Sequence, residues 1–259
     1  MSTPLAAVPF LDPRRPTGPM HRSIVAVDLE GSTTRTNLVK GELRRTMYDL
    51  LGRTLEDAAI TENLLEPLTD RGDGILLLIR PHDQVPKTIL LERLIPKLAA
   101  LLVEHNATVA HQALQIRLRA VVHAGEVHSD SRGFYGEAID VAIRLMDSSA
   151  VKKALKLAVS PLVLVVSEEI HSGIVRHGYV DGAYRPLVRA RVGHRQHRGW
   201  VHIPGAAEGT GAEAIPLPTR PVRSPTLAIA RERVERIVPA IIGTGSRLSA
   251  PELPRGGHR

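Results

Sequence analysis

Residues 25–34 read Val25-Ala26-Val27-Asp28-Leu29-Glu30-Gly31-Ser32-Thr33-Thr34, and further on the turn Arg71-Gly72-Asp73-Gly74 opens the apolar run Ile75–Ile79. An aspartate ending one apolar strand, beside a second in the turn that opens another, is a way to hold two metal ions. The Gly31-Ser32-Thr33 step after the first aspartate, leading into a helix, is a way to hold phosphates with backbone amides and a helix dipole. Together these residue types point to a nucleotide, Mg²⁺ or Mn²⁺, and phosphoryl chemistry.

Outward from that stretch the periodicities alternate between strand and helix. Ser23–Val27 reads as a short β-branched strand. Residues 36–60 place Val39, Leu43, Met47, Leu50, Leu51, Leu55 and Ala58 near helical spacing, with Arg44, Arg45, Asp49, Arg53 and Asp57 off that stripe. Ile75–Ile79 is a buried strand, Ile89–Asn106 a second amphipathic helix entered after Pro86. Gln115–Val122 alternates, setting Ile116, Leu118 and Ala120 against a polar face of Gln115, Arg117 and Arg119. Gly136–Met146 begins a third helix, and Leu162–Val166 is another buried strand. Ser167 is placed to cap a short helix at Glu168 and Glu169, and Leu187–Val192 with Gly199–Ile203 reads as a closing hairpin around His194–Arg198. The order predicts an α+β fold with helices on one face of a mixed sheet. A doubly wound sheet is disfavoured, since no glycine-rich dinucleotide fingerprint follows the first strand.

The 259 residues suit one such domain plus tails. Residues 1–21 form a proline-rich leader, residues 22–204 the domain, and residues 205–259 a Gly/Ala/Pro-rich tail. One amphipathic segment, residues 227–242, interrupts that tail and is a docking element for the domain or for a protein partner. Apolar residues make up 43% and aromatics only 3%, so the core must be aliphatic. The absence of cysteine excludes disulfides and thiolate metal sites. No apolar run approaches the ~20 residues of a membrane span, and no secretion core opens the chain, so a cytoplasmic location is expected. The net charge of +7 raises nucleic acid as a partner. The arginines are spread along the chain, however, as is typical of GC-rich bacterial genomes. The densest patch, Arg189–Arg198 with His194 and His197, has one nearby tryptophan and no stacking platform. Nucleic acid is therefore not the expected partner, and the two histidines read as a solvated loop.

Four motifs in order resemble the class III nucleotidyl cyclase catalytic domain, over about residues 22–204. They are Asp28-Leu29-Glu30-Gly31-Ser32-Thr33, Gly72-Asp73-Gly74, His123-Ala124-Gly125-Glu126-Val127, and the helix Gly136-Glu137-Ala138-Ile139-Asp140-Val141-Ala142-Ile143-Arg144. The resemblance implies a ferredoxin-like-derived fold and conversion of a nucleoside triphosphate to a 3′,5′-cyclic nucleotide and pyrophosphate. It implies two Mg²⁺ or Mn²⁺ ions on Asp28, Asp73 and the Leu29 carbonyl, and phosphates on the backbone of Glu30, Gly31, Ser32 and Thr33. Arg144 matches the arginine placed on the α-phosphate, and Arg189 or Arg191 stands loosely for a triphosphate-gripping lysine. In this family one site draws on two protomers, so a homodimer is implied, with Arg144 far from Asp28 of its own subunit.

Three positions depart from the family pattern. Thr69 stands where adenylyl cyclases carry a purine-reading lysine, and Gly133 where they carry an aspartate or threonine. Asp70, Asp130 or Ser131 are the neighbouring groups that could replace them. The base is thus left to another mode of reading, as in the family's bacterial pyrimidine cyclases, or goes unread. Asp140 replaces the ribose-orienting asparagine, and its spacing from Arg144 suits an intrahelical ion pair. These departures keep open a second reading, a cyclase-like protein that binds nucleotide and signals through a partner. His123 is expected in a packed strand-end role.

Overall fold

A computed structural model describes residues 18–205. The C-terminal linker, the amphipathic segment 227–242 and most of the leader lie outside the described residues. β1 (Met20–Leu29) is longer than the apolar run suggested and takes in Met20 and His21 from the leader. It is followed by α1 (Asn37–Asp57), β2 (Thr69–Asp70), β3 (Gly74–Ile79), α2 (Lys87–Ile89), a π-helical turn (Leu90–Leu94) and α3 (Ile95–Thr108). Then come β4 (Leu118–Asp130), β5 (Gly133–Tyr135), α4 (Glu137–Met146), α5 (Ser149–Leu157), β6 (Leu162–Ser167), α6 (Glu168–Gly173), β7 (Arg185–Val192) and β8 (Arg195–His202).

The sheet runs β2-β3-β1-β4-β6-β8-β7, with β5 added to the far end of β4. β4 and β6 are parallel, joined by the α4–α5 crossover, and every other pairing is antiparallel. This is the expected α+β fold with a mixed sheet. The helices, however, occupy both faces rather than one. Side chains alternate across a strand, so Val25, Val27 and Leu29 pack with α1 and α3, whereas Ile24 and Ala26 pack with α4 and α5. Ile24–Val27 of β1 is therefore an unbroken apolar run, the signature of a strand covered on both sides.

α1 starts at Thr36, whose hydroxyl accepts from the Val39 amide, and buries Leu43, Met47, Leu50, Leu51 and Leu55 along one stripe. The second expected helix is interrupted by the π turn. The wider turn keeps Leu90, Leu91 and Leu94 in the core before Ile95, Leu98 and Leu102 continue the buried face. Such aliphatic side chains contribute about 1.5–3 kcal/mol each on burial. Among the described residues no helix is long and apolar enough to cross a membrane.

Candidate active site

The site forms where β1 ends. Asp28 lies opposite Gly74 on one side and Arg119 on the other, and the Leu29 amide donates to the Asp73 carbonyl at 2.9 Å. The two aspartates, far apart in sequence, are thus neighbours across one strand pairing. Gly74 makes the approach possible. A Cβ there would stand 2.6 Å from the Val27 carbonyl oxygen and 3.6 Å from Asp28 Oδ1. Ser32, buried in the loop after β1, donates its hydroxyl to Asp73 Oδ2 at 2.5 Å.

Past Asp28 the chain turns through Gly31 into a single 3₁₀ turn, Ser32–Thr34. The amides of Gly31, Ser32 and Thr33 donate to no backbone carbonyl among the described residues, as an anion-binding loop requires. Glu30 drops out of this set. Its amide donates to the Arg117 carbonyl, and its carboxylate is held by Arg117 Nε at 3.0 Å.

The residue that sequence reasoning missed is Arg119. The alternation of β4 put it on a polar face, but that face is covered by α4. Its guanidinium donates to Asp28 Oδ2, with the two side chains only 13% and 15% exposed, and it lies 3.8 Å from Asp147 at the end of α4. Its Nε is buried without a partner. Burial pushes the Asp28 carboxyl above the usual carboxylate range; Arg119 opposes that shift, and Asp73 and Asp147 add to it. The only sequence signal was the arginine's place in an alternating strand, and the cross-strand register that brings it to Asp28 is not written locally.

Do these residues suit divalent ions? Two carboxylates, the Leu29 carbonyl and the Ser32 hydroxyl are hard oxygen donors of the kind Mg²⁺ and Mn²⁺ take. Among the described residues no group of three or more His, Asp or Glu side chains is placed for a metal. The set therefore fits an ion that completes its shell with substrate phosphates and water, the habit of Mg²⁺. A cation on Asp28 must share it with Arg119 or displace it.

Arg144 is exposed on α4 and touches neither aspartate. Yet its helix is not remote, since Asp147 lies within reach of Arg119. The expected ion pair with Asp140 is absent: both side chains are exposed, and no Asp140–Arg144 contact within 4.0 Å occurs. Solvent screening leaves such a pair too weak to fix two long side chains. Arg189 is exposed on β7, and because Val188 and Ala190 face α4, it faces the other way. It is four strands from β1, too far to reach Asp28 within one subunit.

Of the base-reading positions, Thr69 pairs with Leu76, whose side chain lies on the α4 face, and so shares a face with Asp28. Gly133 has a φ of +147°, which side-chain-bearing residues rarely adopt, so a different turn replaces the expected aspartate or threonine. Asp70 is not available as a substitute. It faces α1, and its carboxylate is taken by Arg44, Tyr48 and the Gly72 amide, with Arg44 foremost in holding it far below the usual range. Asp130 accepts from the amides of Arg132 and Gly133 in the β4–β5 turn.

Three smaller expectations resolve similarly. His123 is buried as predicted, with Nδ1 2.8 Å from Ser167 Oγ and 3.2 Å from Glu169 Oε2. The bond to His123 lowers the Glu169 carboxyl to about 2. Ser167 makes no side-chain cap to α6, its hydroxyl being turned to His123. The hairpin turn is only Gly193 and His194, so His197 is not a loop residue but a half-buried side chain on β8, 3.9 Å from Glu137. A cavity of about 560 Å³, lined by His21, His82 and Lys87 among others, opens at the opposite end of β1 from the aspartates.

Among solved structures the chain is similar to the adenylate/guanylate cyclase/hydrolase from Silicibacter pomeroyi. Identity is 18%, over 73% of this chain and 99% of that one, with a TM-score of 0.52. It is also similar to a bacterial light-regulated adenylyl cyclase, at 14% identity over 70% of this chain and 89% of that one, with a TM-score of 0.50. At these identities the likeness establishes the fold, that of class III cyclase catalytic domains, and not the activity. No protein-family model matches the chain, and no curated protein sequence does.

Proposed function

We propose that this protein is a nucleotidyl cyclase that works as a homodimer in the cytoplasm, converting a nucleoside triphosphate to its 3′,5′-cyclic monophosphate and pyrophosphate. The observation that carries the reading is the meeting of Asp28 and Asp73 across β1 and β3, beside the unengaged amides of Gly31, Ser32 and Thr33. Asp28, Asp73 and the Leu29 carbonyl would hold Mg²⁺ or Mn²⁺. Bound there, the ions would lower the pKa of the ribose 3′-hydroxyl and neutralise charge on the triphosphate. The loop amides hold the terminal phosphates. Arg119, once released from Asp28, turns its unpartnered Nε and its freed fork toward the same phosphates. Arg144 of the partner subunit would supply the α-phosphate contact, stabilising charge as the 3′-oxygen attacks.

A second reading is favoured by one observation. Arg119 already neutralises Asp28, and neither Thr69 nor Gly133 offers the usual base contact, which suits nucleotide binding without turnover. Both are tested by presenting ATP, GTP, CTP and UTP separately with Mn²⁺ and with Mg²⁺ and resolving products by mass spectrometry. A cyclic nucleotide that disappears in Asp73→Ala is expected. Turnover unchanged in Asp73→Ala removes the assigned site; saturable binding with four blank reactions leaves the second reading.

A further inference from the structure

Asp73 is not fixed by burial. Its carboxylate rests against Ser32, and its turn stands at the edge of the sheet. The turn is held by its own bonds, by the Leu29 amide on the Asp73 carbonyl, and from outside the sheet by α1. Arg44 of α1 forks onto both oxygens of Asp70, at 2.8 Å for the Nη1–Oδ1 bond, and its Nη1 also donates to the Gly72 carbonyl at 2.5 Å. Tyr48, one helical turn on, donates to Asp70 Oδ2 at 3.0 Å, and Asp70 Oδ1 accepts from the Gly72 amide at 2.7 Å. The Arg71 amide closes the turn on the Gly74 carbonyl at 2.9 Å.

The helix carrying this fork is rigid where it matters. Leu43 and Met47, flanking Arg44, are each 1% exposed in the core. We infer that Arg44 and Asp70 are positioning residues for Asp73: α1 sets the place of the metal-binding turn through one arginine fork. The chain of placement runs from the core to Leu43 and Met47, to Arg44, to Asp70 and the Gly72 carbonyl, and so to the next residue, Asp73.

A stabilising role explains this arrangement poorly. The Arg44 and Asp70 side chains are 35% and 43% exposed, so water screens their attraction and the fold gains little from it. Yet the bonds from Arg44 end within three residues of Asp73, and a carboxylate displaced by about 1 Å loses its geometry toward a hard cation and a phosphate. The purpose assigned to the turn rests on the cyclase reading; the clamp itself does not.

The test uses the full chain with Arg44→Ala, Asp70→Ala, the double variant, and Arg45→Ala as a control on the outer face of α1. Binding is measured with Mn²⁺ and inorganic tripolyphosphate, a probe that carries no base, alongside the melting midpoint and hydrogen exchange at the Arg71 and Gly72 amides. Each single variant is expected to weaken binding about tenfold or more, and the double by less than the sum of the two. Both remove the shared Arg44–Asp70 fork, while each keeps a further bond of its own, Arg44 to the Gly72 carbonyl and Asp70 to Tyr48 and the Gly72 amide. The midpoint should shift by less than about 3 °C, exchange at the two amides should quicken, and Arg44→Lys should recover only part, lacking the fork. Unchanged exchange in Arg44→Ala, or fully additive losses in the double, overturns the inference. A wild type that binds no Mn²⁺–tripolyphosphate instead counts against the cyclase reading, and the exchange result alone then decides the clamp.

Discussion

The arginines at the two ends of the sheet are used in opposite ways. Around β1, β3 and β4, Arg22, Arg44, Arg80, Arg117 and Arg119 are each closed on a carboxylate of the same subunit. On β7 and β8, Arg185, Arg189, Arg191, Arg195 and Arg198 make no ion pair among the described residues, and Arg189 stands directly across from Arg198. Arg144 on α4 shares that lack of a partner. One end uses its cations to place carboxylates; the other presents cations outward, with no carboxylate partner among the described residues. The proposed site divided between two protomers would use this arrangement, with carboxylates and loop from one and arginine from the other.

The sharpest way to break that comparison is to remove an outward arginine and ask whether a second subunit can replace it. Arg144→Ala is expected to slow turnover about a hundredfold, or about 3 kcal/mol of transition-state stabilisation, while leaving Mn²⁺–tripolyphosphate binding near wild type. Mixed with Asp73→Ala and allowed to exchange subunits, it should recover about a quarter of wild-type activity, because half the dimers then carry one intact site. No recovery from subunits shown to exchange would mean that the site is not shared.

A smaller effect is expected at the closed end. Arg119→Ala leaves the Asp28 carboxylate poorly solvated and without its counter-charge, a loss of about 1–3 kcal/mol in denaturant unfolding. Since the arginine competes for Asp28, Mn²⁺ should then raise the unfolding midpoint more in the variant than in the wild type. Equal shifts would show that Arg119 does not compete with the ion.

The fold was legible because its signals are local. Apolar alternation marked the strands, the Leu43–Leu55 stripe marked α1, and the two aspartate turns with their glycines marked where the sheet opens. What escaped depends on register. Helices on the second face were hidden because Ile24–Val27 of β1 and Leu162–Val166 of β6 are apolar without a break, which says that both faces are covered but not by what. Arg119 and Asp28 meet only through the β1–β4 pairing, and Arg44 meets Asp70 only through the packing of α1 on the sheet. The Asp140–Arg144 pair failed for the opposite reason: spacing allowed it, but two exposed side chains gain too little from it to stay together. Of the candidate site, the carboxylates and the loop were readable and their arginine partners were not.

The smallest predicted effect separates the outward arginines from ordinary surface charge. Two like charges directly opposite on neighbouring strands repel, so Arg198→Glu, which faces Arg189, should stabilise the hairpin by about 0.2–1 kcal/mol, less at high salt. If both arginines are present to receive an anion, the same change should lower turnover or nucleotide affinity while unfolding moves to higher denaturant. A gain in stability with function untouched would reduce Arg189 and Arg198 to edge-strand charges that deter pairing with other chains. A loss of stability would mean that the arginine stem packs on its neighbours and that the like-charge argument has the wrong sign here. The two ends of the sheet are then distinguished by experiment: charge removal costs stability where the cation faces a buried carboxylate, as Arg119 does, and costs only function where it faces outward.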